Sequence, residues 1–465
     1  MLDALATAPG HPAVETEAVA GGGRVITGGQ LLTMIGTIEA GYREAGLGPG
    51  SGIVLDVGVT AEALAAWLAG YALGCRVTGL PSGYSAAQRD HVLAHSGSLV
   101  TAERIAELLR GPAADPVVDA RPEDVARVAW TSGSTGRPKG CMQTYAALSA
   151  HWSWGADWSP ATAELAKNFG RFLLFGTLAS AIVQDYLALC LLSGGTAVIP
   201  ALPGPADGPL FPAVFPALRA TATIMHIPRL YQTLDSLRQQ SFDLSTVGAI
   251  MAAGSPLPPH RLAEAYEVLG PVVYTSYGQT ETGGLTLHTP ADIAAGVLDS
   301  VGRPLPGIDV DIRDGEVLVR TPQQMSGYLG EPELTAEVLV DGWIRTRDLG
   351  LLQGGYLYLT GRARDIIIVD ALPVYAGPIE QVLAASADVD QAYVIGAPDD
   401  RRGEAVHAFV VPKAGRTPDH TALRTAVRAA IGDLSVPETI TELAEVPVAI
   451  SGKPDKSALR DLLRS

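Results

Sequence analysis

A run of small and hydroxyl-bearing residues that begins at position 131 has the chemistry of a phosphate-binding loop. An apolar stretch ends at Trp130, and Lys139 lies near the end of the run. Small residues let backbone N–H groups approach an anion closely, hydroxyls add donors, and the lysine adds positive charge. The candidate residues are Thr131, Ser132, Gly133, Ser134, Thr135, Gly136 and Lys139. The sequence therefore predicts a polyphosphate site, and a flexible surface turn is the alternative.

The same run does not fit the Walker P-loop pattern. In a P-loop that started at Gly133, a second glycine would stand where this chain has Pro138. That glycine should be followed by Lys and then Ser or Thr. The pattern therefore disfavours a P-loop kinase or ATPase.

A second polar run, at residues 276–284, combines groups that suit a nucleotide and its metal ion. Tyr277 offers a flat face for adenine, and Gly278 permits close approach of the backbone. Thr280 can donate to an α-phosphate, and Glu281 can hold Mg²⁺, which prefers carboxylate and phosphate oxygens. A polar loop with an incidental acid is the alternative interpretation.

Two residues further along the chain add to these candidates. Asp348 has two carboxylate oxygens, so it can accept hydrogen bonds from both ribose hydroxyls. Lys453 stands in a Ser-Gly-Lys turn ahead of a short predicted helix. Each residue alone is typical of a solvated surface, so their interpretation depends on the other motifs.

The elements that must position these groups alternate along the first part of the chain. Residues 30–45 and 61–73 are predicted to be helices, and residues 51–57, 197–200 and 222–225 are predicted to be strands. Such alternation indicates βαβ units with largely parallel sheets.

The later part of the chain changes character. Strands at 316–320 and 356–359 indicate a smaller, more antiparallel section. A separate α+β unit is predicted from about residue 363. Its predicted helices are residues 378–385 and 420–431, and its predicted strands are residues 390–395 and 405–412.

Taken in order, these motifs resemble those of the adenylate-forming (ANL) superfamily, which contains acyl-CoA synthetases, peptide-synthetase adenylation domains and firefly-type luciferases. The resemblance extends from Gly28 through the VGRPLPG run at 301–307 to the final helix. It implies an α/β fold: a large N-terminal domain of βαβ-type sheets plus a β-barrel-like section, residues 1–362. A small mobile α+β domain, residues 363–465, would carry the catalytic lysine.

The resemblance also implies a role for each matching residue. Lys453 would bridge the substrate carboxylate and the α-phosphate, assisted by Thr280 and by Mg²⁺ on Glu281. Arg362 would contact the ribose or a phosphate, and Arg364 would be the hinge of the small domain. The remaining ATP and AMP contacts would be the phosphate loop together with Gly254, Ser255, Ser276, Tyr277, Gly278 and Asp348.

The chain departs from the family pattern at several positions. Arg347 precedes Asp348 where the family usually has glycine, and the hinge is commonly Asp or Lys where this chain has Arg364. Asp370 and Ala371 replace two glycines that line the pantetheine tunnel of CoA-using relatives. Side chains there would narrow the tunnel, and Asp370 would add negative charge; a shifted loop that still admits a thiol is the alternative.

The acyl pocket is the part that the motifs define least. Phe175, Ser180, His226 and Ala253 are the candidates to line it. Ser180 falls where many relatives have a histidine, and His226 can equally be a core histidine. Asp185 does not sit in the motif that binds the amino group of amino acids, so a structural polar pair is an equal interpretation.

These motifs predict ATP-dependent activation of a carboxylic acid to acyl-AMP with release of pyrophosphate. Transfer to a thiol, of CoA or of carrier-protein phosphopantetheine, is the leading expectation, with ATP and Mg²⁺ required. The alternative acceptor is an amine or another nitrogen nucleophile, as in an amide- or diazo-forming ligase, which Asp370 and Ala371 favour. A nucleotide-binding protein without catalysis is a third possibility, which Lys453, Glu281 and Lys139 oppose.

Composition limits the other classes of function. With a net charge of −16, the chain is a poor nucleic-acid binder. The N-terminus lacks the features of a signal peptide, and the apolar stretch 172–200 contains polar residues, so we expect a cytoplasmic protein without a membrane span. Cys75, Cys141 and Cys190 match no metal spacing. The Ala- and Gly-rich composition suits specialised metabolism, and a homodimer is left open.

Overall fold

The structure is a computed structural model that describes most of the chain. The described residues are 1–17, 23–81, 84–131, 138–153, 159–202, 209–362, 366–370, 372–399, 402–448 and 454–463. The predicted site residues that lie outside them are Ser132, Gly133, Ser134, Thr135, Gly136, Arg364, Ala371 and Lys453.

Helices and strands alternate through the first 275 residues, as predicted. The strands are β1 (Pro12–Thr16), β2 (Arg24–Thr27), β3 (Gly52–Asp56), β4 (Arg76–Gly79), β5 (Ser98–Thr101), β6 (Val125–Thr131), β7 (Lys139–Thr144), β8 (Arg171–Leu173), β9 (Thr196–Ile199), β10 (Ala222–His226), β11 (Ala249–Ala253) and β12 (Val273–Thr275). The helices are α1 (Leu2–Thr7), α2 (Gly28–Glu44), α3 (Ala61–Ala72), α4 (Ala86–Ser96), α5 (Ala102–Leu108), α6 (Tyr145–Trp152), α7 (Pro160–Lys167), α8 (Ala181–Leu192), α9 (Val214–Leu218), α10 (Ile227–Gln239) and α11 (Pro259–Leu269).

These strands form two largely parallel sheets. The first has the order β12-β11-β10-β8-β9-β1-β2 and is parallel except at its β1–β2 edge. In the second, β6, β4, β3 and β5 run parallel, and β7 pairs antiparallel with β6. One apolar core joins the two sheets, because it contains Ile53 and Val77 of the second sheet and Phe172 and Ala197 of the first.

Local sequence explains why the helices of this core form where they do. Thr60 caps α3 by accepting a hydrogen bond from the N–H of Ala63 at 3.0 Å. Every residue of α3 except Glu62 is buried, because its alanines, Trp67 and two leucines leave no polar face. α2 starts with a capping box in which the side chains of Thr27 and Gln30 each bond the other's backbone N–H.

The middle of the chain is more antiparallel. Its strands are β13 (Gly278–Gln279), β14 (Gly283–Gly284), β15 (Thr286–Leu287), β16 (Arg303–Pro304), β17 (Asp309–Arg313), β18 (Glu316–Arg320), β19 (Gly327–Tyr328), β20 (Leu339–Val340), β21 (Trp343–Gln353) and β22 (Tyr356–Arg362), and its helices are α12 (Pro290–Ala294) and α13 (Pro332–Val338). β17, β18, β21, β20 and β22 form a five-stranded antiparallel sheet, and β19 joins the edge of the second parallel sheet beside β7.

A smaller α+β unit follows. Its elements are β23 (Ile366–Val369), β24 (Leu372–Tyr375), α14 (Ala376–Ala384), β25 (Val389–Asp399), β26 (Gly403–Pro412), α15 (His420–Ala430), β27 (Thr439–Glu442) and α16 (Lys456–Leu462). Its sheet has its own apolar core against α14 and α15. The prediction of a small C-terminal α+β domain is therefore confirmed, while the boundary between residues 362 and 363 stays a prediction.

A buried arginine connects the two units. Arg261 on α11 lies over the ring of Tyr231, with its guanidinium carbon 4.0 Å from the ring centroid. One guanidinium nitrogen lies 2.6 Å from the carboxylate of Glu264, and the other is 3.4 Å from that of Asp390 on β25. The Arg261–Asp390 ion pair is therefore one contact between the two units. In the described parts of the chain, no helix is long and apolar enough to cross a membrane.

Candidate active site

The carboxyl ends of three neighbouring parallel strands gather the residues predicted to contact adenine and the acyl chain. β10 ends at His226 and β11 at Ala253, and the two residues are direct partners in the sheet register. β12 ends at Thr275 on the other side of β11, so Ser276 and Tyr277 follow at the same edge. Ligands of open parallel sheets bind outside the carboxyl ends of the strands. The topology therefore favours one shared crevice for these residues.

Two glycines at this edge are required for different reasons. Gly254 has a φ of +100°, and a Cβ atom there would meet no heavy atom within 4 Å. This open space fits the predicted approach of a base to the backbone. At Gly278, in contrast, a Cβ atom would lie 2.3 Å from the carbonyl oxygen of Gly283, because β13 and β14 pair there. The hairpin itself therefore requires Gly278.

A bulge in β21 positions Asp348. Opposite the single residue Val317 of β18, β21 has Thr346, Arg347 and Asp348, because Glu316 pairs with Leu349 and Leu318 pairs with Arg345. The hydroxyl of Thr346 donates to the carbonyl of Val317 at 2.6 Å and accepts from the N–H of Asp348 at 3.0 Å. Bulges often re-aim a side chain beside an active site. Here the carboxylate of Asp348 points inward and is only 2 % exposed.

Three donors converge on the buried carboxylate of Asp348. The hydroxyl of Tyr277 and the side-chain amide of Gln279 each donate to Oδ2 at 2.6 Å. Arg362, the partner of Asp348 on β22, donates from Nε to Oδ1 at 2.5 Å. Burial, and then the carboxylate of Asp348, raise the pKa of Tyr277 well above its usual value, so the tyrosine remains a donor. The structure thus connects three of the predicted site residues, Tyr277, Asp348 and Arg362, by hydrogen bonds.

Gln279 was missed by the sequence analysis. It occupies the variable position between Gly278 and Thr280, so the motif gave it no role. In the structure its amide bonds to both Asp348 and the carbonyl oxygen of Thr346, at 2.6 and 2.9 Å. The sequence feature that could have indicated its role is an amide side chain inside a glycine-rich polar run.

Arg347 occupies a backbone conformation that suits glycine. Its φ is +58°, in the left-handed region, which explains why the family usually has glycine at this position. Its N–H donates to Glu316 at 3.1 Å, and its guanidinium lies 3.3 Å from the carboxylate of Glu337. Both side chains of that ion pair are exposed, so the pair adds little stability.

We expect Arg347→Gly to raise the free energy of unfolding by about 0.5–1 kcal/mol, because relief of backbone strain outweighs the exposed ion pair. Urea unfolding monitored by intrinsic fluorescence measures the change. Arg345→Gly is the comparison variant, since Arg345 is also exposed on β21 but lacks a positive φ. It also loses an ion pair with Glu316 at 2.6 Å, so it should lose about 1–2 kcal/mol. Equal destabilisation by both variants would contradict the strain argument.

A second group of candidates lies around Glu281. Tyr328 on β19 donates from its hydroxyl to Oε1 of Glu281 at 2.8 Å. The ammonium of Lys139 is 5.8 Å from the centroid of the Tyr328 ring, and Cys141 is the register partner of Tyr328. Burial, followed by the charge of Glu281, raises the pKa of Tyr328, so its hydroxyl stays protonated. β19 therefore connects the end of the predicted phosphate loop to the predicted metal ligand.

The residues around Glu281 fit a magnesium ion that is held mainly by phosphate. Glu281 is half-buried, and its carboxylate accepts a hydrogen bond from a neutral tyrosine and forms no ion pair within the described ranges. Within the described ranges, no group of three or more His, Cys, Asp or Glu side chains could hold a metal by itself. Mg²⁺ commonly binds one or two carboxylates together with substrate phosphates. Glu281 would supply such a carboxylate.

The candidates for the acyl pocket lie on neighbouring elements. Phe175 follows β8, and its ring centroid is 4.9 Å from that of Phe211. His226 is exposed at the end of β10, where its Nδ1 caps α10. Ser180 stands at the start of α8, with no side-chain capping bond. The structure thus brings Phe175, His226 and Ala253 to one sheet edge, and their contact with an acyl group stays a prediction.

Asp185 belongs to a buried polar network. It accepts a hydrogen bond from Arg127 at 3.1 Å and one from the indole of Trp152 at 3.0 Å. Arg127 also donates to Gln143 at 2.7 Å. Burial lowers the pKa of the neighbouring His151, although Asp185 acts in the opposite direction. The interpretation of Asp185 as part of a structural polar pair fits these contacts.

The turn between β23 and β24 changes the expectation for Asp370. Asp370 has a φ of +51°, and its carboxylate lies 2.9 Å from the guanidinium of Arg402. Its N–H also donates to the carbonyl of Arg402 at 2.8 Å. Arg402 therefore offsets the negative charge that was expected from Asp370. The side chain of Asp370 still occupies a position where CoA-using relatives have glycine.

With this geometry described, comparisons with known proteins identify the family. A family model described as AMP-binding enzyme matches residues 99–329, and one described as AMP-binding enzyme C-terminal domain matches residues 378–453. A feruloyl-CoA synthase from Amycolatopsis sp is 31% identical over 479 residues, which cover 95% of each chain. An indoleacetate–CoA ligase from Aromatoleum aromaticum is 33% identical over 367 residues, covering 75% of this chain and 69% of that protein.

Solved structures agree with this assignment. The amide bond synthetase McbA from Marinactinospora thermotolerans superimposes with a TM-score of 0.85 at 34% identity, covering 99% of each chain. ATP-bound MatB from Rhodopseudomonas palustris also gives a TM-score of 0.85, at 22% identity, which supports the fold alone. The mixed α/β architecture with a smaller C-terminal domain is confirmed by these matches. The chain belongs to the adenylate-forming (ANL) superfamily and is an ATP-dependent, AMP-forming ligase.

Proposed function

We propose that this ligase converts a carboxylic acid into an acyl-adenylate and then transfers the acyl group to an acceptor. One observation carries the first step: the segment 276–284 contacts both groups of candidates. Tyr277 bonds to Asp348, the candidate ligand of the ribose. Four residues later, Glu281 bonds to Tyr328, beside the lysine that ends the phosphate loop. This spacing supports a nucleotide whose ribose and phosphates are bound by one continuous segment.

The proposed first step is an in-line displacement at the α-phosphorus of ATP. A carboxylate oxygen forms a bond to phosphorus, the bond to the bridging oxygen breaks, and pyrophosphate leaves with that electron pair. Thr280 is exposed in the turn between β13 and β14, where it can donate to the α-phosphate. Lys453 would hold the carboxylate against that phosphate. Positioning and electrostatics, without covalent catalysis by the protein, carry this step.

The acid is proposed to be aromatic, and the acceptor to be a thiol. The half-buried Phe175 offers a ring face beside the crevice, and the buried Phe211 packs behind it. Two relatives are named for aryl acids and CoA, a feruloyl-CoA synthase and an indoleacetate–CoA ligase. An amine is the second candidate acceptor. The amide bond synthetase covers 99% of this chain, and Asp370 replaces a glycine in the segment expected to admit pantetheine.

Carboxylate-dependent ATP–pyrophosphate exchange across aryl, short-chain, fatty and amino acids tests the first step. Exchange with one class would support adenylation and name the substrate class. Release of ADP in place of AMP would contradict the proposal. The acceptor is then tested by adding CoA or a primary amine in separate reactions and detecting thioester or amide by mass spectrometry. Amide formation without thioester would replace the thiol with the second candidate.

A further inference from the structure

Arg229 is a charged residue at the edge of the acyl crevice that the proposed mechanism does not use. It lies in the first turn of α10, directly after β10. Its N–H donates to Nδ1 of His226 at 3.2 Å, which fixes the start of the helix. Burial of part of the His226 ring, followed by the charge of Arg229, lowers the pKa of His226, so this capping acceptor stays neutral. The backbone of Arg229 is therefore held in place while its side chain can extend.

The side chain of Arg229 packs against Phe175 at the crevice and against the buried Phe211 behind it. Its guanidinium carbon is 5.9 Å from the ring centroid of Phe175 and 5.6 Å from that of Phe211. Both distances are within the range of a cation–π contact. Such a contact stabilises the charge through the ring faces and does not use the terminal N–H groups of the guanidinium, which can still donate to a polar group.

The described residues provide no such partner. Nε of Arg229 is buried and makes no hydrogen bond, and the side chain forms no ion pair with a described carboxylate. Other arginines nearby form ion pairs: Arg238, on the same helix, lies 2.7 Å from the carboxylate of Asp235, and Arg261 lies 2.6 Å from that of Glu264. Nε of Arg261 also makes no hydrogen bond to a described residue, so the missing ion pair is the feature that distinguishes Arg229. A bound ligand that reached the terminal nitrogens would supply the acceptor for this charge.

The order of strands indicates which part of a ligand would reach Arg229. The nucleotide candidates follow β11 and β12, whereas Phe175 follows β8 and Arg229 follows β10. β10 and β8 lie on the side of the sheet away from β12. The reacting carboxylate must lie near the α-phosphate, so Arg229 faces the other end of the acid.

We infer that Arg229 determines specificity by binding an oxygen acceptor at the end of the acid distant from the reacting carboxylate. This inference rests on the proposed adenylation of an aromatic acid. The acceptor is a second carboxylate or a neutral oxygen such as a phenolic hydroxyl, since a guanidinium recognises both. The aromatic ring of the acid would pack against Phe175, and Arg229 would bind its far substituent.

The test compares cinnamic and phenylacetic acids with their para-hydroxy and para-carboxy derivatives in ATP–pyrophosphate exchange. We expect the wild-type protein to favour at least one derivative over its parent by about tenfold or more in kcat/KM, because the parent leaves Arg229 unpaired. In Arg229→Met the ratio of kcat/KM for that derivative to kcat/KM for its parent should fall to about one, within twofold. Only the values for the derivatives should decrease. Preference for para-carboxy over para-hydroxy would identify the acceptor as anionic.

Two further variants control for folding and for charge. Arg238→Met removes a positive charge from the same helix at an ion-paired position and should keep the wild-type ratio. Arg229→Lys keeps the charge without the planar fork, so an intermediate ratio is expected. If thermal unfolding shows that Arg229→Met is not folded, Arg229→Lys still tests the inference.

Equal rates for parent and derivatives in the wild-type protein would contradict the inference, as would a preference that survives in Arg229→Met. Exchange only with acids that lack a distal oxygen would also contradict it, while leaving adenylation intact. Absence of exchange with every acid of this panel, together with exchange on a short-chain, fatty or amino acid, would overturn the proposed aromatic substrate and this inference with it.

Discussion

Asp348→Asn is expected to lower kcat/KM for ATP by about 100-fold or more, mainly through a higher KM. The two carboxylate oxygens of Asp348 already accept from three donors, on Tyr277, Gln279 and Arg362. Asparagine has only one oxygen, so its NH₂ group must face at least one of these donors and cannot accept a hydrogen bond from it. The substitution also removes the negative charge opposite Arg362. Both effects would disturb the site that is proposed to hold the ribose.

ATP–pyrophosphate exchange at varied ATP concentration measures this effect. Asp309→Asn is the matched control, since Asp309 pairs with Arg320 at 2.7 Å on the same sheet but both side chains are exposed. Exposed pairs contribute little, so KM for ATP should not change in the control. An unchanged KM in Asp348→Asn, with the protein folded, would show that Asp348 does not bind the nucleotide.

Lys453→Ala is expected to reduce acyl-adenylate formation by about 100- to 1,000-fold, the size typical of losing one electrostatic contact to a transition state. The role of Lys453 follows from the family resemblance, since the residue lies outside the described ranges. Its proposed task belongs to the first step alone. Transfer from a synthetic acyl-AMP to the acceptor should therefore continue in the variant, which separates a specific role from general loss of structure.

Lys456→Ala is the control for this experiment. Lys456 lies three residues later, at the start of α16, and its ammonium is 3.2 Å from the carboxylate of Glu380 on α14. We expect its loss to affect packing of the C-terminal helix and to leave acyl-adenylate formation within about threefold of wild type. Unchanged carboxylate-dependent AMP production in Lys453→Ala would contradict the assigned role.

Residues close together in the sequence were predicted well. The pattern at 61–73 predicted a helix, and α3 spans Ala61–Ala72; the pattern at 222–225 predicted a strand, and β10 spans Ala222–His226. Asp348 was named as a candidate from a compact motif, and its contact with a nucleotide stays a prediction. In these cases the information lies within a few residues, either in the periodicity of apolar side chains or in the order of polar ones.

Partners brought together by strand pairing were not predicted. Gln279 and Asp348 are 69 positions apart, and Glu281 and Tyr328 are 47 apart, so no local pattern links them. Arg347 shows another limit, because its residue type gives no sign of a positive φ. Gly278 was assigned to nucleotide approach, which stays a prediction, and no local pattern indicated that the β13–β14 hairpin also requires it. Local motifs identified the groups that could do chemistry, but the tertiary structure determined which of them meet.

The bulge in β21 constrains the number of residues there more strongly than their identity. Side chains alternate along this strand, so Ile344, Thr346, Asp348 and Gly350 are buried while Arg345 and Arg347 are exposed. Removing one residue between 344 and 348 would reverse this alternation and turn the carboxylate of Asp348 toward solvent. A substitution at Arg347 alters only local strain and an exposed ion pair. Relatives that share this site are therefore expected to accept residues other than the usual glycine at position 347 more readily than an insertion or deletion between residues 344 and 348.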